Sequence, residues 1–224
     1  MRWLPSAPTP DTEATMAPRE RNPSPVDELV PKRPSLPNLR KAAAGCQGCG
    51  LWRDATQTVF GEGAARATVM LVGEQPGNGE DEAGRPFVGP AGRLLDRALT
   101  DAGVERDQAY LTNVVKHFQF EHRDKRRLLK KPSSEEIQAY RPWLDAELGG
   151  QVRGARLPRR DRRQALLGAR FRASRQRGRV GPSPLAPRVA ATVHPSSILR
   201  APDDQARKQA YESFVETWPG SPTY

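Results

Sequence analysis

Three clusters in this sequence carry side chains able to do chemistry. Gly73-Glu74-Gln75-Pro76-Gly77 sets an acid beside an amide on a turn, with Gly84-Arg85-Pro86-Phe87-Val88-Gly89-Pro90 close behind. On such a turn Glu74 and Gln75 can face one crevice, and Phe87, in its Pro/Gly setting, suits an aromatic platform more than a core position. An ordinary β–α loop is the plain alternative. The second cluster is His194-Pro195-Ser196-Ser197-Ile198-Leu199-Arg200, an imidazole at the end of an apolar run with a cation just beyond. A lone His in that place is more often structural than catalytic, but the His-Pro-Ser turn at a sheet edge is more specific. The third is Cys46-Gln47-Gly48-Cys49, which holds both cysteines of the chain. In a reducing compartment C-x-x-C is a metal or redox motif more often than a disulfide. Two thiolates cannot close a zinc or iron–sulfur site, which takes four ligands. Either other ligands come from elsewhere or the site is broken.

These side chains need a sheet edge to hold them. The apolar run Ala67-Thr68-Val69-Met70-Leu71-Val72 predicts a strand that ends in the 73–77 turn. Residues 93–102 follow as an amphipathic helix with Leu94, Leu95, Ala98 and Leu99 on one face. Ala109-Tyr110-Leu111-Thr112 predicts a second strand with Asn113 at its carboxyl end, on the edge that carries Glu74 and Gln75. In α/β proteins that edge is where ligands bind. After Val115-Lys116-His117-Phe118 comes a charged loop over residues 121–131, read either as solvated or as a phosphate contact through Lys125, Arg126 and Arg127. Ser133-Ser134-Glu135-Glu136 opens another helix with Ser as N-cap and acids in its first turn, running to about residue 148. Leu36, Leu39, Ala42 and Ala43 have helical spacing ahead of the cysteines, and residues 188–193 predict a strand running into His194.

Composition sets the class. The chain of 224 residues fits one domain with tails: a Pro-rich, disordered extension over 1–34, a domain over 35–215 and an irregular tail over 216–224. A net charge of +10 makes a polyanion, nucleic acid by default, the expected partner. No apolar run approaches the roughly 20 residues of a membrane span, and the N-terminus lacks a signal-peptide pattern, so a cytoplasmic protein with no membrane partner is expected.

Jointly, C-x-x-C, GEQPG, GRPFVGPAGRLLD, LTNVVKH, the KRR loop and TVHPSSILR resemble the uracil-DNA glycosylase superfamily over residues 36–215. The likeness is to its iron–sulfur family 4 and UdgX branch, with Gln75 and the KRR loop favouring UdgX. It implies a three-layer α/β/α fold with a central, mostly parallel, four-stranded sheet. It also implies a monomer acting on uracil-containing DNA, single-stranded by preference, in base excision repair. Such enzymes turn the nucleotide out of the stack and read it in a pocket. By this resemblance uracil stacks on Phe87 and pairs with the Asn113 amide, Glu80 crowds a 5-methyl group, and His194 donates to O2. Glu74 and Gln75 sit near the sugar, Leu199 fills the vacated stack, and Arg200, Lys125, Arg126 and Arg127 hold phosphates. Cys46, Cys49 and His117 are implied ligands of a [4Fe–4S] cluster.

The departures are as informative. Leu129 stands where UdgX proteins carry the His that attacks the sugar, so water is the remaining attacker; His122 lies too far back to substitute without a different loop path. Tyr140 stands where a further cluster Cys is expected. Residues 150–163 carry six arginines where the family has a buried parallel strand, and such a strand should be apolar. A frame shift in the coding DNA would account for this: codons compatible with residues 153–163, shifted by one nucleotide, read E-V-L-V-C-L-G-A-T-A. Besides excision, the sequence therefore leaves open a uracil-DNA binder without turnover and an inactive, frame-damaged family member.

Overall fold

The computed structural model of the chain describes residues 24–67, 69–151, 180–183, 186–190, 192–216 and 218. The sequence expectations for residues 1–23 and for the arginine-rich segment lie outside the described residues.

The sheet that matters is built on β3 (Ala109–Asn113), whose residues are all buried, as a strand covered on both faces requires. β2 (Val69–Gly73) pairs with it in parallel, and the short β1 (Glu62–Gly63) pairs antiparallel on its other side. The β2–β3 register sets Gly73 opposite Asn113, so the turn after β2 and the Asn113 side chain share one carboxyl edge, as expected. α2 (Asn78–Ala83) and α3 (Pro90–Asp101) follow β2; Leu95, Ala98 and Leu99 of α3 pack on Leu71, Ala109 and Leu111. α4 (Ser134–Gln151) begins in a capping box, in which Glu136 N–H donates to Ser133 Oγ at 3.2 Å and Ser133 N–H to Glu136 Oε2 at 2.7 Å. With α1 (Leu36–Ala43), α4 encloses a second core around Trp143, Tyr140, Phe60 and Leu39. α5 (Pro195–Leu199) and α6 (Asp204–Val215) close the first core through Ile198 and Phe214. No helix among the described residues is long and apolar enough to cross a membrane.

The α/β reading holds, with local differences. Among the described residues the central sheet has three strands, against the four expected. The strand expected over 188–193 is instead β7 (Ala186–Ala190), which pairs antiparallel with β6 (Val180–Ser183) outside the central sheet. Few residues separate the two strands, and so short a connection makes a hairpin, whereas parallel strands need a long crossover. The charged loop after Phe118 is also a hairpin, β4 (Phe120–Arg123) and β5 (Arg126–Leu129), turning at Asp124 with φ 55°. At both ends of the described residues the packing reaches beyond the bounds that composition suggests. Val26 is fully buried against Gly48, and Trp218 packs edge-on to Phe214 with ring centroids 5.2 Å apart.

Candidate active site

At the carboxyl edge, small residues make room for large ones. A Cβ on Gly73 would lie 2.1 Å from Asn113 Oδ1 and 3.1 Å from the Phe87 ring, so only glycine lets the amide and the ring lie against the backbone here. Asn113 is buried, and among the described residues its Nδ2 has no hydrogen-bond partner. Buried polar groups are rarely left so; each forgone bond costs about 1–3 kcal/mol.

Phe87 is held in the left-handed region at φ 57°, an uncommon conformation for a bulky residue. Two features hold it there. Its N–H donates to Glu80 Oε1 at 2.8 Å, and the absent side chain of Gly92 lets α3 close on its carbonyl, which would lie 1.7 Å from a Cβ. Glu80 Oε2 accepts from Gly77 N–H at 2.8 Å, so one carboxylate clamps both ends of the segment that delivers Phe87. Burial pushes the Glu80 pKa up, partly offset by these two bonds.

His194 closes the other side. Its ring stacks on Phe87 with centroids 6.3 Å apart and planes 24° apart. As N-cap of α5, its Nδ1 accepts from Ser196 N–H at 3.2 Å. An Nδ1 that accepts cannot carry the proton, so in the neutral ring Nε2 is the donor. Desolvation first, and then the Arg200 charge, pull the His194 pKa below 6.5, while the Glu74 carboxylate pulls the other way. The imidazole is therefore neutral at pH 7. Glu74 is exposed, and its carbonyl accepts from Val115 N–H at 3.0 Å.

Two expected site residues face elsewhere. Gln75 is buried, its Nε2 donating to Lys130 carbonyl at 2.6 Å and its Oε1 accepting from Gln119 N–H at 2.9 Å. It spans the open end of the β4–β5 hairpin, which fixes that hairpin beside the 73–77 turn. Arg127 lies over the Phe118 and Phe120 rings and pairs with the fully buried Asp81 at 2.8 Å and with Glu82 at 3.2 Å. Lys125 and Arg126 remain exposed on the hairpin, as does Arg200 after α5. Leu129 and Leu199 are large apolar side chains left exposed, at 59% and 38%.

Beneath the site lies a network that sequence reasoning missed. Lys116 Nζ is fully buried and donates to the Asn113 carbonyl at 2.7 Å, Thr112 Oγ1 at 2.7 Å and Glu147 Oε2 at 2.5 Å. Tyr110 OH also donates to Glu147, at 2.8 Å. The signal was present: a Lys inside an apolar run after β3, and a Glu on the face of α4 that carries Trp143 and Leu144.

The cysteine corner is arranged differently. Cys49 Sγ donates to Tyr140 OH at 3.2 Å, Tyr140 OH is hydrogen-bonded to His117 Nδ1, and His117 Nε2 meets Thr58 Oγ1 at 2.9 Å. Cys46 Sγ accepts from Trp143 Nε1 at 3.3 Å. Among the described residues no three His, Cys, Asp or Glu side chains are placed to hold a metal ion. Two thiols and one imidazole, with a phenol between them, do not fit the ligand set of a [4Fe–4S] cluster.

A model of the uracil DNA glycosylase superfamily matches residues 60–219. The chain belongs to that superfamily. Its relatives include the type-4 uracil-DNA glycosylase of Pyrobaculum aerophilum, 36% identical over 180 residues, 75% of this chain and 86% of the relative. The type-4 uracil-DNA glycosylase of Sulfurisphaera tokodaii is 43% identical over 115 residues, 51% of this chain and 49% of that relative. That of Thermotoga maritima is 46% identical over 71 residues, 32% of this chain and 37% of the relative. The match thus spans about half of the S. tokodaii protein and most of the P. aerophilum one.

Proposed function

We propose that this chain is a uracil-DNA glycosylase that takes a flipped-out uracil from DNA and hydrolyses its N-glycosidic bond. The observation that carries this reading is the buried Asn113 amide, whose Nδ2 has no partner among the described residues, beside the Phe87 ring. Uracil offers an N3–H donor next to an O4 acceptor, which the Asn113 Oδ1 and Nδ2 match. Cytosine offers the reverse order, an acceptor beside a donor, and would leave both pairs unmade.

In this reading the base stacks on Phe87, with Glu80 fixing the segment that presents the ring. As the bond from C1′ to N1 breaks, its electron pair passes to the base and negative charge collects at O2. Neutral His194, with Nε2–H as its donor, stabilises that charge without giving up its proton. Glu74 faces the positive charge developing on the sugar and orients the water whose oxygen bonds to C1′; the proton that water sheds balances the uracil anion. Leu199 fills the gap in the stack, and Lys125, Arg126 and Arg200 hold phosphates. Gln75 and Arg127 act through position, anchoring the hairpin. With Leu129 in place of an attacking His, the product is an abasic site and not a protein–DNA adduct. We assign the preferred substrate as a single strand and the working form as a cytoplasmic monomer.

A single-stranded oligonucleotide carrying one uracil, incubated with the full chain, tests this. Abasic sites without an SDS-stable adduct are expected. Uracil-specific binding by folded protein with no abasic product would overturn excision and leave a binder without turnover.

A further inference from the structure

We propose that this chain holds no iron–sulfur cluster, because the Tyr140 phenol closes the cysteine corner into a hydrogen-bonded knot that takes the cluster's place in the fold. The inference rests on membership of the family and not on the glycosylase reading, since its readout is iron and not product.

Among the described residues the corner lacks a fourth donor suited to iron, and the three it has are engaged. Tyr140 is buried, and its hydroxyl joins Cys49 on one side to His117 on the other. His117 has no ring nitrogen to spare, because Thr58 Oγ1 takes its second one at 2.9 Å. Cys46 is buried and held by the Trp143 indole at 3.3 Å. Cys46, Tyr140 and Trp143 also belong to one core with Val26, Leu39 and Phe60, so a cluster would have to displace packed apolar side chains as well as hydrogen bonds. Val26 presses on Gly48, between the two cysteines, where a Cβ would lie 2.2 Å from it. The knot does what a cluster would otherwise do. It joins the loop after α1, the stretch after β3 and the middle of α4.

The test is iron and sulfide content, with visible absorbance, of the full chain purified without oxygen after iron and sulfide have been supplied. Background values are expected, and stoichiometric iron with sulfide would overturn the proposal. The variant Tyr140→Cys, treated alike, should gain iron, sulfide and the visible absorbance of thiolate-bound iron. A folded Y140C that stays iron-free would show that Tyr140 is not what closes the site, and would overturn it too. Should Y140C fail to fold, Tyr140→Phe decides: it keeps the ring and removes the hydroxyl, so an unchanged Tm would overturn the knot and a lowered Tm with background iron would support it.

Discussion

Two corners of this molecule, joined by the chain from Asn113 to His117, treat their polar groups in opposite ways. At the Asn113 corner an amide nitrogen is buried with nothing among the described residues to donate to, and an imidazole has its proton fixed on the outer nitrogen. At the Cys46 corner each thiol and both ring nitrogens of His117 have partners. An unpartnered buried donor costs stability, and a ligand that supplies its acceptor recovers that cost. A corner whose groups satisfy one another has no such demand. The contrast teaches how to tell a site that awaits a ligand from one whose residues have closed on themselves, even where family likeness points to both.

Substitutions can break or sharpen this contrast. The largest effect is expected for His194→Ala, which removes the donor to the developing charge and should slow uracil release by about 10²–10³-fold in single-turnover assays. Next is Asn113→Ala, which removes the base-reading amide and should weaken discrimination of uracil from cytosine by about 1–3 kcal/mol in competition assays. At the closed corner, Tyr140→Phe should leave the rate of uracil release unchanged but lower stability by about 1–3 kcal/mol, because Cys49 and His117 lose their shared partner. Denaturant unfolding measures that. The smallest effect concerns pH. The neutral His194 ring persists into acid because its pKa is depressed, so the acid limb of activity should lie below pH 6.5. Arg200→Gln removes one cause of the depression, so the His194 titration followed by NMR should move to higher pH. As pH falls through 6.5 the unfolded chain takes up this proton first, so His194 subtracts stability on the acid side.

The sheet edge was legible because its signals are local. An apolar run, a Gly/Pro turn and a helical period put Glu74 and Asn113 on the edge where the structure has them, and the β2–β3 register follows. Phe87, whose Pro/Gly setting suggested a platform more than a core position, is buried and packs into the first core, because its backbone folds back onto α3. The β4–β5 hairpin was not legible, because its turn is Asp124-Lys125 and lacks the Gly or Asn that marks such turns. The partners of Gln75 and Arg127 were not legible for a related reason. The resemblance sets Gln75 near the sugar and Arg127 on a phosphate, but in the structure their partners are a backbone carbonyl 55 residues away and a buried carboxylate 46 residues away. Glu80 reads as a base-facing acid, yet both its oxygens are used on backbone amides, a commitment that depends on how the 77–87 segment folds back. Lys116 and Glu147 lie 31 residues apart, and neither predicts the other without α4 in place.

That last pair also bears on the order in which the molecule assembles. Lys116 follows β3 directly, whereas its carboxylate partner arrives on α4. Until α4 docks, drying Lys116 would strand a charge at a cost of several kcal/mol, so the ammonium stays hydrated and the end of β3 stays open. Docking the helix and sealing the strand end are therefore one event. A chain in which α4 is delayed should collapse with its sheet formed and its base-reading edge still wet.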